Sequence, residues 1–204
     1  MSPLLGVVLA YVLGSFPSAY LAGKGFRGID LRQHGSGNLG ATNVYRVLGW
    51  RIALLVFSVD VAKGVIPVLL FPRWLHIPFA SHWAIAFGLA AILGHLRPIF
   101  LLWKGGGKGV ATAAGVFLGL APLVALAATA VWALVFYRSG YVSLASLSAA
   151  VALPAGAIVS YGPASPVFVV SALVCVLVFW THRANIGRLR RGQEHRFGHK
   201  PKAE

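Results

Sequence analysis

The 204-residue chain is 58% hydrophobic and only 11% charged, with a mean hydropathy of +0.78, whereas a soluble domain carries about 25% charged residues. This excludes an ordinary soluble fold and predicts an all-α, polytopic membrane bundle forming one domain over residues 1–204. Lys and Arg number 18 against 4 Asp and Glu, a net charge of +14; because the cations fall in short loops between apolar runs, they argue for anionic headgroups or anionic substrates and against nucleic acid.

Residues 3–22 read as the first span. The first lysine is Lys24, so no basic region precedes this run, and it reads as a permanent helix rather than a cleaved signal. A basic loop follows over 24–51, with Lys24, Arg27, Arg32, Arg46 and Arg51. It contains GSGNLGATNVYR (35–46). Gly35, Gly37 and Gly40 permit tight turns and close backbone approach, and successive N–H groups in such a turn make an anion nest. A helix starting near Thr42 would add its free amides. Ser36, Asn38 and Asn43 bring side-chain hydrogen bonds, and Arg46 can grip a phosphate with two parallel donors. A solvated loop capped by Thr42 is the plainer alternative.

The second span, 52–72, contains Asp60 and Lys63. Charges are costly inside a span, and the i, i+3 spacing predicts that they pair with each other. The third span, 79–102, carries His95, which either lines the next loop or bonds the helix end. WKGGGKGVAT (103–112) follows. Lys104 and Lys108 bracket Gly105, Gly106 and Gly107, just before an apolar helix. The stretch reads as a second phosphate cradle or a flexible basic loop; with no Ser or Thr after a Gly-Lys step, it is not a Walker A loop.

The next apolar run, 110–137, is too long for one crossing: about 42 Å as a single helix, against a hydrocarbon core of about 30 Å. Gly119 and Pro122 sit near its middle, and a break at Pro122 gives two short helices. Spans at 141–161 and 163–181 follow. Cys175, the single cysteine, lies in the last of these; it reads as a small buried hydrophobe and leaves no intrachain disulfide. The basic tail opens with THRANIGRLRRGQE (181–194). His182 and Asn185 share a face if the last helix runs through them; a juxtamembrane anchor is the alternative.

The basic loops 24–51 and 97–109 and the tail, which includes Lys200 and Lys202, belong on the cytoplasmic face. Splitting at Pro122 achieves this with seven spans, the N-terminus outside and the tail inside; five spans would also do so. No grouping of residues has the spacing of a zinc site, four carboxylates argue against a magnesium cage, and neither metal nor cofactor is expected.

The ordered motifs resemble those of the bacterial acyl-phosphate:glycerol-3-phosphate acyltransferases, integral membrane enzymes of phospholipid synthesis, nearly from end to end. LGSFPSAYL (13–21) and Asp30-x-Arg32 lead into GSGNLGATNVYR, which looks like the family's first motif. Asp60-x-x-Lys63-Gly64 matches a family pattern. GHLRPIF (94–100) leads into KGGGKGVAT, similar to the second motif. YVSLASL (141–147) resembles the serine-bearing loop, and THRANIGRL with Glu194 the third motif. Departures are Arg97 where an aromatic or apolar residue is common, Leu39 for a frequent Pro or Ile, and three glycines rather than two between the lysines. That extra glycine leaves open which of Lys104 and Lys108 takes a given role.

The resemblance implies transfer of a fatty acyl group from acyl phosphate to the 1-hydroxyl of glycerol 3-phosphate, at the cytoplasmic face of the bacterial inner membrane, with no obligate protein partner. It implies that Ser36, Arg46 and one of Lys104 and Lys108 hold phosphate. Gly35, Gly37 and Gly40 would shape the first cradle and Gly105, Gly106, Gly107 and Gly109 the second, with Thr42 among the phosphate-binding residues. Asn38, Asn43, Ser143, His182 and Asn185 would orient substrate, with His182, Asn185 and Ser36 nearest the chemistry and Glu194 tying the tail to a basic loop. The rival readings are a transporter of an organic phosphate, which explains the buried charges, and a non-catalytic scaffold, which leaves the glycine–asparagine stretch unexplained.

Overall fold

A computed structural model describes residues 2–77 and 80–197, except for the side chains at 80 and 81; Lys200 and Lys202 lie outside the described residues. Among these the chain is all helix, with no strand, as the composition predicts. The helices are α1 (Pro3–Gly14), α2 (Ser18–Arg27), α3 (Ala41–Leu48), α4 (Trp50–Trp74), α5 (Ala80–Leu96), α6 (Val110–Leu120), α7 (Pro122–Ser139), α8 (Val142–Tyr161), α9 (Pro166–Thr181) and α10 (Arg183–Arg190), with 3₁₀ turns at Leu31–Gln33 and Ile99–Leu101.

Five stretches among the described residues are long and apolar enough to cross a membrane: Pro3–Arg27, Trp50–Trp74, His82–Leu101, Pro122–Ser139 and Val142–Tyr161. Pro166–Thr181 joined to Arg183–Arg190 makes a sixth, and Val110–Leu120 is a shorter apolar helix. The expected break at Pro122 is present, with α6 ending at Leu120 and α7 starting on the proline. Proline has no N–H to continue a ladder and suits a first helical turn.

Two elements differ from expectation. The first apolar run is interrupted between Gly14 and Ser18, where Pro17 withholds its N–H and Ser15 Oγ bonds back to the Tyr11 carbonyl at 2.8 Å. The last helix does not run through 182–185: α9 and α10 meet at His182 with a bend of 61°. His182 and Asn185 therefore do not lie on one straight helix.

The chain forms two compact units, Met1–Pro122 and Leu123–Glu204. In the first, helices meet through small residues, as helices in lipid do. A Cβ on Gly14 would run into the Ala91 backbone, and one on Gly64 into the Thr112 carbonyl. One apolar cluster joins Ala10, Phe71, Leu75 and Phe87. Another joins Ala19, Leu31, Leu39, Val44 and Val56, and seats the loop that carries the first glycine-rich stretch.

In the second unit Trp132 stacks on Phe136 at 5.0 Å, and Phe197 meets Phe136 edge-on at 5.2 Å. Trp132 Nε1 donates to Ser146 Oγ at 3.3 Å. After α10 the chain returns to the α7–α8 turn, where Phe197 N donates to the Gly140 carbonyl at 2.8 Å and Arg196 Nε to the Ser139 carbonyl at 3.1 Å.

Candidate functional site

The first glycine-rich loop is closed by a side chain of the helix that follows it. α3 starts at Ala41, one residue before the expected Thr42, and buries Asn43 in its first turn. The Asn43 Oδ1 accepts from Ser36 N at 2.8 Å, and its Nδ2 donates to the carbonyls of His34 at 3.0 Å and Leu31 at 3.3 Å. Asn43 thus spends its amide on the loop backbone. Ser36 is exposed at the loop's tip and Arg46 on the outer face of α3.

The second loop folds over the C-terminal end of α5. Gly107 N donates to the His95 carbonyl at 3.2 Å. A Cβ on Gly106 would strike the Leu96 carbonyl, and one on Gly107 the His95 ring at Nε2. Leu102 and Trp103 enter the loop with φ of 51° and 58°, a strained conformation for side-chain-bearing residues. Trp103 Nε1 donates to Tyr11 Oη at 2.8 Å and Tyr11 Oη to the Arg97 carbonyl at 2.7 Å, which holds that stretch to α1.

The two loops touch. Leu39 N donates to the Gly106 carbonyl at 3.3 Å, and Arg32 Nη1 to the Lys104 carbonyl at 2.9 Å. Arg32 is held in turn by Asp30, with Nε 3.0 Å from both carboxylate oxygens and Nη2 2.6 Å from one. The hydrogen bonds from the Arg32 side chain, working against burial, hold the Asp30 carboxyl at about 2, and the Asp30 bond raises the guanidinium's own value.

Beneath the loops lies a buried ion pair. Asp60 Oδ1 is 2.8 Å from Lys63 Nζ, accepts from Ser18 Oγ at 2.7 Å, and lies 3.7 Å from His95 Nδ1. Lys63 also donates to the Phe16 carbonyl at 3.1 Å, in the break between α1 and α2. The expected i, i+3 pairing is met, and the pair anchors the break at Pro17. A cavity of about 10 Å³ opens here, lined by Ser15, Phe16, Pro17, Ser18, Ala19, Leu39, Lys63, His95, Pro98, Gly106 and Gly107. Such a space is about one water in size. Thr112 Oγ1, on α6 just past the loop, is buried with no hydrogen-bond partner among the described residues.

In the second unit Glu194 gathers the third motif. Its Oε1 accepts from Asn185 Nδ2 at 2.6 Å and its Oε2 from Arg188 Nε at 2.6 Å. Burial works to raise the Glu194 carboxyl, but Asn185, Ser143 and Arg188 together bring it below its ordinary value. Ser143 Oγ, at the start of α8, faces the carboxylate without completing a hydrogen bond among the described residues. His182 Nδ1 lies 2.9 Å from the Val178 carbonyl; in the neutral ring this contact places the proton on Nδ1 and leaves Nε2 as the acceptor.

Residues 4–192 match the family described as glycerol-3-phosphate acyltransferase. The chain belongs to the glycerol-3-phosphate acyltransferase family. It is 46% identical over 198 residues to the glycerol-3-phosphate acyltransferase of Prochlorococcus marinus (strain NATL1A), covering 96% of this chain and 98% of that one. The crystal structure of PlsY (YgiH), an integral membrane glycerol 3-phosphate acyltransferase, matches in its glycerol 3-phosphate form with a TM-score of 0.89 and 42% identity, over 97% of this chain and 96% of that one. Its lysophosphatidic acid form matches with a TM-score of 0.85 and 40% identity over the same shares.

For this acyltransferase the expected site residues fall into two groups. Ser36, Gly37, Asn38, Gly40, Thr42, Asn43, Arg46, Lys104, Gly105, Gly106, Gly107 and Lys108 belong to the first unit, and Ser143, His182 and Asn185 to the second. Glu194, expected to tie the tail to a basic loop, instead binds α10's own Asn185 and Arg188. Asp30, Arg32, Ser18 and Arg188 all lie in stretches singled out in the sequence, which gives them no partners; the structure supplies these. Among the described residues no group of three His, Cys, Asp or Glu is placed to hold a metal ion.

Proposed function

We propose that this chain transfers the acyl group of an acyl phosphate to the 1-hydroxyl of glycerol 3-phosphate, releasing lysophosphatidic acid and inorganic phosphate. The carrying observation is that the two glycine-rich loops, the first carrying Ser36 and leading into the helix that carries Arg46, the second carrying Lys104 and Lys108, are bonded backbone to backbone through Leu39 and Gly106. One lining built from two cradles suits a reaction in which the acceptor's phosphate and a phosphate bonded directly to the acyl carbon lie side by side; a carrier thioester holds its phosphates far from the reacting carbonyl. Lipid-facing helices on the same unit leave the acyl chain in an apolar setting.

In this reading Ser36, Arg46 and the lysines bind phosphate, with the glycine amides around them. Asn43 acts by holding the first loop closed. Asn38, Ser143, His182 and Asn185 orient the acceptor. The glycerol hydroxyl oxygen attacks the acyl carbon, the bond from that carbon to the phosphate oxygen breaks, and the departing phosphate takes the hydroxyl proton. Positioning and fixed donors carry the catalysis. The whole chain works as one acyltransferase domain with seven spans, α6 being the short one, its loops 24–51 and 97–109 and its tail on the cytoplasmic side of the bacterial inner membrane.

The test is purified protein in detergent, given acyl phosphate and radiolabelled glycerol 3-phosphate, beside an acyl thioester as the competing donor. Labelled lysophosphatidic acid from the phosphate donor alone supports the proposal. Product from the thioester alone overturns the donor assignment, and uptake into sealed vesicles without chemistry marks a transporter.

A further inference from the structure

Arg32 belongs to neither glycine-rich loop, yet it is wedged between them. Two of its guanidinium nitrogens are fixed on Asp30, and its plane lies over the Tyr20 ring, 5.2 Å from the centroid. Only then does Nη1 reach the Lys104 carbonyl, at 2.9 Å. The stem and backbone of Arg32 also lie against glycines of the two loops. A Cβ on Gly105 would come within 2.8 Å of Arg32 Cδ, and one on Gly37 within 3.1 Å of the Arg32 carbonyl oxygen. Gly105 itself holds a φ of +87°, which a larger residue resists.

An exposed ion pair contributes little to stability, so a surface bridge alone would not explain this build. The Arg32 side chain is 33% exposed, its carboxylate contact is forked and its face is stacked. These features fix direction, and an ammonium cannot reproduce them. What the guanidinium is aimed at is not a charge but the backbone of Lys104. Lys108 lies four residues further on, next to the start of α6.

We propose that Arg32 is a positioning residue, oriented by Asp30, which fixes the Lys104 backbone against the first loop and so sets the affinity of the second loop for phosphate. It acts through Lys104 and not through Lys108. This rests on the reading of the two loops as phosphate cradles.

The experiment compares wild type with Arg32→Met, Arg32→Lys and Asp30→Asn, and places Arg32→Met in Lys104→Met and Lys108→Met backgrounds. Steady-state constants are measured for both substrates. Inorganic phosphate binding is followed separately as a rise in thermal midpoint, which needs no turnover. Arg32→Met should raise KM for one substrate about tenfold, the loss expected for one hydrogen bond to a charged group, while kcat changes far less. Arg32→Lys should not rescue it, and Asp30→Asn should move the same KM. The loss should vanish in the Lys104→Met background and persist in Lys108→Met, in the kinetics and in the phosphate titration alike. Unchanged KM values and phosphate affinity, equal losses in both lysine backgrounds, or a fall in thermal midpoint alone would each overturn the proposal. If wild type binds phosphate with this coupling but transfers no acyl group, the proposed reaction fails and the positioning role stands.

Discussion

Gly107 rests directly on the imidazole of His95: its N–H bonds the His95 carbonyl at 3.2 Å, and a methyl group on its Cα would overlap Nε2. The ring is buried, so it cannot swing away freely. Gly107→Ala should therefore displace the second loop and lower kcat/KM at least about tenfold, the scale of small misplacements at a reacting site. Gly25→Ala is the matched control. A Cβ there meets nothing within 4 Å, and a helical Gly→Ala change should leave activity intact. Equal activity in the two variants would sink the packing argument.

Arg46→Lys keeps the charge but loses the paired donors. It should reduce kcat/KM by about tenfold, equivalent to the ~1.5 kcal/mol low end for a charge-assisted hydrogen bond. Constants for both substrates that match wild type would remove Arg46 from the phosphate site.

Glu194→Gln tests the third motif. Its carboxyl titrates below the ordinary 4.5 in the folded protein. A depressed value gives stability that is fully present above the unfolded value and lost as pH falls through the folded one. Glu194→Gln should thus melt well below wild type at neutral pH, with the gap closing as the pH is taken below 4.5. A gap independent of pH would mean that the charge contributes nothing. Arg188→Met should produce a smaller drop of the same kind.

Gln33 and Gln193 are both exposed. Introduced singly in a Cys175→Ala background, Gln33→Cys and Gln193→Cys should resist an impermeant thiol reagent in intact cells and react after lysis. Labelling of either from outside would refute the seven-span arrangement.

Direct transfer leaves no acyl group on the protein. Incubation with acyl phosphate alone should give no mass adduct, and Cys175→Ala should retain activity. A stoichiometric adduct on Ser36, Ser143 or Cys175, discharged by glycerol 3-phosphate, would replace direct attack with a two-step route.

The helical architecture was readable because its causes are local. Apolar runs set the spans, Pro122 breaks the overlong one, and Asp60 and Lys63 find each other within a single helix. The bend at His182 was not readable in the same way. Nothing in the THRAN stretch itself stops a helix, and the interruption shows only where His182 turns its Nδ1 onto the Val178 carbonyl. The Arg32–Lys104 contact joins residues 72 apart in the chain, a relation that no local periodicity encodes. The motifs named the residues of the loops; which of them face outward and which, like Asn43, are consumed in holding the loop depends on hydrogen bonds that only the fold supplies.

The placement of Asp60 and Lys63 on one helix also bears on how the chain is made. Each ion alone would burden the insertion of its span by about 2.5–3.5 kcal/mol at the bilayer centre. Here the counter-ion belongs to the same segment, 2.8 Å away in the folded protein, so each ion has a partner that its own helix supplies. Ser18, the Phe16 carbonyl and His95 belong to other helices and breaks, and they complete the shell as those elements dock.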